Sequence, residues 1–105
     1  MSEYIQEITF EHARKLAEEA AMEELSSFIG NQQIPVLCGE HVEAECCWVF
    51  FRNKQITIPA GCLKNYAYAV SKKGHVILIV DFSDDPPKLK EYLMKFSDHL
   101  KGHNE

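Results

Sequence analysis

Glu43-Ala44-Glu45-Cys46-Cys47-Trp48-Val49-Phe50-Phe51 is the stretch that decides how this chain is read, and it holds the only tryptophan. Read as a β-strand, its side chains alternate between two faces. Ala44, Cys46, Trp48 and Phe50 fall on one face, and Glu43, Glu45, Cys47, Val49 and Phe51 on the other. Two leading carboxylates argue against burial on both faces, and the closing Val49 and Phe51 argue against a fully solvated second face. The expectation is a central strand with a core face carrying Trp48 and a second face whose apolar end needs a cover.

Outward from this strand the chain reads as helix, strands, helix. Thr9 suits an N-cap, and Phe10, Ala13, Leu16, Ala17, Ala20, Ala21, Leu25, Phe28 and Ile29 recur at helical spacing up to the stop at Gly30-Asn31. Residues 1–8 read as a short, partly ordered lead-in. Strands are expected at 34–39, 42–51, 55–58, 65–70 and 75–80. Gly39-Glu40-His41 is read as a turn, and Ser71-Lys72-Lys73-Gly74 as a hairpin turn. His75 to Val80 reads as a strand buried on both faces. Asp85 caps a helix over 86–101, with Pro86 at its first position and Gly102 ending it. Two helices with single apolar stripes call for a shared surface. The expected fold is therefore α+β: one domain over residues 1–105, a mainly antiparallel four- or five-stranded sheet, and the N-terminal and C-terminal helices packed on one face. The uncovered face of Cys47, Val49 and Phe51 then awaits a partner or a second copy.

Charge is unevenly placed. Residues 1–45 carry ten glutamates against Arg14 and Lys15, whereas residues 46–105 carry six acids and nine bases. A net charge of −5 speaks against nucleic acid as a partner, because phosphate binding needs clustered Lys and Arg. No run approaches a membrane span, and no charged-then-apolar leader is visible. A cytoplasmic protein with reduced thiols is the resulting expectation.

Motifs for chemistry are thin. Cys38-x-x-His41 followed by Cys46-Cys47 invites zinc, but adjacent strand residues point to opposite faces and paired Cys-x-x-Cys spacing is missing. Buried apolar behaviour of the cysteines is the competing reading. The five histidines accompany no nucleophile signature, and no phosphate-cradling glycine loop is present. Asp81, Asp84 and Asp85 lack the alternation and bidentate glutamate of a calcium loop and suit turn formation and capping. We expect no catalysis, no cofactor and no metal. The surface candidates are acidic: Glu40, Glu43 and Glu45 with Asp81, Asp84 and Asp85, beside the apolar Phe51.

The helix with Ala13, Leu16 and Ala17, the strand residues Cys46, Trp48, Val49, Phe50 and Phe51, the run Asn65-Tyr66-Ala67-Tyr68-Ala69-Val70, the turn Lys72-Lys73-Gly74-His75-Val76 and the closing Leu89, Glu91, Tyr92 and Leu93 form a pattern. That pattern resembles the small bacterial immunity proteins of the YrhB/immunity-protein-35 type and covers most of the chain. The resemblance implies a cytoplasmic, non-enzymatic antidote that binds and blocks a cognate toxin domain; an acidic antidote suits a basic toxin. It also implies an alternative, a small chaperone-like or homodimeric module without a toxin partner.

Overall fold

The computed structural model describes residues 4–30, 33–56, 66–82 and 84–105. The element order is α1 (Phe10–Ile29), β1 (Leu37–Glu43), β2 (Cys47–Arg52), β3 (Tyr66–Ser71), β4 (Val76–Val80) and α2 (Pro86–His103). The four strands form one antiparallel sheet in the order β1-β2-β3-β4. This is the expected α+β class.

Both helices begin where the sequence places them. The Thr9 side chain accepts from the His12 N–H at 3.2 Å, and Asp85 accepts from the Lys88 N–H at 3.4 Å, with proline at the start of α2. Gly30 closes α1 at φ 60°, in the region glycine tolerates best. α2 runs through Gly102, which does not end it; Asn104 in the left-handed conformation does.

The decisive stretch is not one strand. β1 runs straight through Gly39-Glu40-His41, where a register irregularity between Leu37 and His41 absorbs the residues read as a turn. The chain instead reverses at Ala44-Glu45-Cys46, closed by the Ala44 N–H donating to the Cys47 carbonyl at 2.8 Å. Nothing in those three residues signals a turn, because other elements hold it. The Cys46 N–H donates to Ser97 Oγ at 2.9 Å, and the Cys46 carbonyl accepts from Tyr4 Oη and from the Lys72 N–H. The lead-in is likewise tied down, since the N–H groups of Glu7 and Ile8 both donate to the Lys72 carbonyl. Gln55 and Ile56, expected to start a strand, lie in a turn closed by the Ile56 N–H on the Asn53 carbonyl. The rest of that expected strand, Cys62 and Asn65 lie outside the described residues.

The two helices cover opposite faces of the sheet, which corrects the expectation of one shared face. Ala13, Ala17, Ala21 and Leu25 pack with Trp48, Phe50, Tyr68 and Val70 on one side. On the other, Leu93 and Leu100 pack with Val49, Phe51, Ala67, Ala69 and Ile79. The reason is in the alternation: β2 and β3 are apolar on both faces, so one helix leaves half of the central pair uncovered. Cys47, Val49 and Phe51 are thus buried by α2 of their own chain, not left for a second one.

Ser97 is a polar residue buried at 5% exposure, and its hydroxyl is the partner of a turn N–H. Ser97→Ala is expected to destabilise the fold by about 1–3 kcal/mol, because it strands a buried donor. Chemical denaturation of the two proteins checks this. Indistinguishable midpoints would show that the bond contributes nothing.

Candidate interaction surface

The seven surface candidates do not form one patch. Glu43 pairs with Trp48 across the β1–β2 ladder, at the end of the sheet where Lys72 also lies. Asp81 follows Val80, which pairs with Tyr66 at the opposite end. A separation on the order of 15 Å along the strands divides the two acidic groups. Three of the carboxylates already have lysine partners: Glu43 with Lys72, Glu45 with Lys101, and Asp81 with Lys54. The Asp81 side chain is only 1% exposed, so it serves the interior of the loop and not its surface.

Phe51 is 5% exposed and packed beneath α2, which corrects its reading as a contact residue for a partner. Its edge nevertheless lines a groove of about 410 Å³ between β1 and the start of α2, walled by Gly39, Glu40, His41, Val42 and Leu89. Glu40 is exposed on this groove. Leu89 sits one helical turn beyond Asp85, its N–H donating to the Asp85 carbonyl at 2.9 Å. Exposed Asp84 and Asp85 therefore lie at the same end of α2 as the groove wall. The structure brings Glu40 and the Phe51 edge together in this groove, leaves Asp84 and Asp85 at the start of α2 without lining it, and leaves Glu43, Glu45 and Asp81 outside it.

His41, weighed in the sequence only as a zinc ligand and a turn residue, lines this groove. Its ring is 4.6 Å from that of Phe10 and 6.0 Å from that of Phe50, so the groove's histidine is braced by the α1-side aromatic cluster. His41 pairs with Phe50 in the ladder, a juxtaposition invisible while Gly39-Glu40-His41 is read as a turn.

Comparison with protein-family models, with curated proteins and with solved structures found no match to this chain.

The thiols follow burial. Cys46 and Cys47 both belong to the α2-side cluster, because Cys46 sits in the turn before β2. The argument that they must point to opposite faces is therefore overturned. Cys38, Cys46 and Cys47 are free thiols. Among the described residues, no group of three or more His, Cys, Asp or Glu side chains is placed to hold a metal ion. No described helix is long and apolar enough to cross a membrane.

Burial, with the adjacent Cys46 as the next contribution, pushes the Cys47 thiol up to about 12 from its ordinary 9.0. A thiol so held is a poor nucleophile at neutral pH. Brief alkylation at pH 8 followed by peptide mapping is expected to leave Cys47 unmodified in the folded protein and modified after unfolding. Burial likewise lifts the Tyr68 phenol to about 12 from 10.0, Glu24 adding to the effect.

Both groups favour their protonated forms when folded. Their contribution to stability is fully present below the unfolded values near 9 and 10 and is lost as the pH rises toward about 12. The unfolding free energy is expected to fall over that alkaline window. Flat denaturation midpoints from pH 9 to pH 11 would contradict it.

Proposed function

We propose that this protein is a non-enzymatic immunity protein that binds and neutralises a cognate bacterial toxin domain, acting in the cytoplasm. The contact surface is the β1–α2 groove with Glu40 on its wall. The observation that carries this reading is that exposed Glu40 lines one groove with Val42, Phe51 and Leu89, one helical turn beyond the exposed Asp85, while Glu43, Glu45 and Asp81 are paired with lysines. An open groove lined by Val42, Phe51 and Leu89 with the Glu40 carboxylate on its wall suits a protruding segment with an apolar anchor and a basic flank. The resemblance to immunity proteins and the acidic excess of residues 1–45 support the same reading. Long-range steering of a basic partner is what such an excess provides.

The test is co-expression with the toxin encoded beside this gene, followed by binding titrations of wild type, Glu40→Lys and Asp84→Lys. Asp85 is left intact because it caps α2. Protection and binding by wild type are expected. If the carboxylates lie at the rim, each reversal slows association and flattens its salt dependence. If one is desolvated against a basic partner group, its loss costs about 2–5 kcal/mol and appears in the dissociation rate. A wild-type protein that neither protects nor binds overturns the antidote reading. Variants that bind like wild type with an unchanged salt slope move the contact away from this groove.

A further inference from the structure

The two edges of the sheet are built differently. β1 carries Gly39, Glu40, His41 and Glu43 and a register irregularity, all features that discourage a further strand from adding to an edge. β4 is Val76-Ile77-Leu78-Ile79-Val80, with no charge, proline, glycine or irregularity. It lies at the end of the strand order, with Leu78 38% and Val80 56% exposed. Among the described residues, no backbone group beyond β3 bonds to it. The expectation of a strand buried on both faces is met only in part, and the exposed part is an open, apolar edge.

We propose that β4 pairs antiparallel with β4 of a second copy of this chain about a two-fold axis through Leu78, joining two sheets into one. The occupant is indicated by the strand itself, because Val-Ile-Leu-Ile-Val reads the same in both directions. Antiparallel pairing centred on Leu78 sets Leu78 against Leu78, Ile77 against Ile79, and Val76 against Val80. Every opposed pair is apolar and falls on the same face, as an isologous contact requires.

The backbone phase agrees. The His75 carbonyl points inward, accepting from the Ser71 N–H at 2.8 Å. By the alternation of an antiparallel ladder, Val76, Leu78 and Val80 then present their N–H and C=O groups outward. The two-fold register makes each of these a hydrogen-bonded position, for about six bonds between the chains. This pairing uses neither the β1–α2 groove nor the antidote reading, and it leaves both grooves at the outer ends of the joined sheet.

Sedimentation of the full chain tests it. Wild type is expected to associate to twice its 12.0 kDa mass. Leu78→Lys places two lysines opposite each other across the axis and removes the central apolar pair, so the dimer is expected to weaken by at least about tenfold. Leu78→Glu weakens it in the same way. An equimolar mixture of Leu78→Lys with Leu78→Glu is expected to restore dimers, because only a self-opposed position lets the two charges meet. Met22→Lys changes an apolar residue on α1 whose exposure lies between those of Leu78 and Val80, and is expected to leave association unchanged.

Circular dichroism establishes that each variant is folded. Should the Leu78 variants unfold, Val80→Lys, at the more exposed position, carries the same expectation of weaker association. A wild type that stays monomeric up to roughly 100 µM overturns the proposal. So does a dimer that none of the folded β4 variants weakens, or one that fails to reform on mixing folded Leu78 variants.

Discussion

Trp48→Ala is expected to destabilise the protein by about 3–5 kcal/mol, the largest single-residue effect on the α1 side of the sheet. The indole is 4% exposed and pairs with Val70 in the central ladder. The Phe10 ring meets it edge-on at 6.0 Å, and the Lys72 ammonium lies 5.0 Å from its centroid. Alanine would remove the apolar area, both ring interactions and the support of Phe10 at once, and a rigid sheet beneath a helix has little means of collapsing into the gap. Urea denaturation followed by circular dichroism measures the loss. Native fluorescence supplies an independent check, because a buried indole emits to the blue of free indole in water. A native maximum matching that of free indole, or a stability change within about 0.5 kcal/mol of zero, would show that Trp48 is a surface residue.

Leu100→Ala is expected to cost about 2–5 kcal/mol, although it lies within the last two turns of the chain's final helix. Ends of chains usually tolerate change. Here Leu100 is fully buried and packs with the Val49, Phe51 and Ala69 side of the sheet. The effect separates two architectures. With both helices on one face, truncation of a C-terminal leucine would be felt beside α1. With α2 alone on its face, the loss belongs to a cluster that shares no side chain with the α1 cluster. Leu100→Ala and Leu25→Ala are therefore expected to add within about 0.5 kcal/mol in the double variant. A Leu100→Ala protein as stable as wild type would show that α2 is not docked. Strong non-additivity would show that the two clusters are coupled through the sheet.

The sequence by itself determined what rests on local periodicity and local chemistry. α1 follows from its apolar spacing, Thr9 and Gly30; α2 starts where Asp85 and Pro86 place it; the Tyr66–Ser71 and Val76–Val80 strands meet at a glycine-containing turn with Gly74 at φ 98°. The burial of Trp48 and its shared face with Phe50 were legible from alternation alone. The position of the β1–β2 turn was not, because Ala44-Glu45-Cys46 has no turn chemistry of its own and is held through Cys46 by Ser97, Tyr4 and Lys72, from 26 to 51 residues away. With the turn displaced, Gly39-Glu40-His41 became part of an edge strand, and His41 came to rest on Phe50.

The face taken by α2 was equally beyond the sequence. An amphipathic stripe states that a helix must cover something and leaves open which of two apolar faces it covers. Among the acidic candidates, composition gave the charges, and only tertiary contacts decided which were free to act. Lys54, Lys72 and Lys101 hold Asp81, Glu43 and Glu45, because side chains distant in sequence meet where the ladder and the helix ends bring them together.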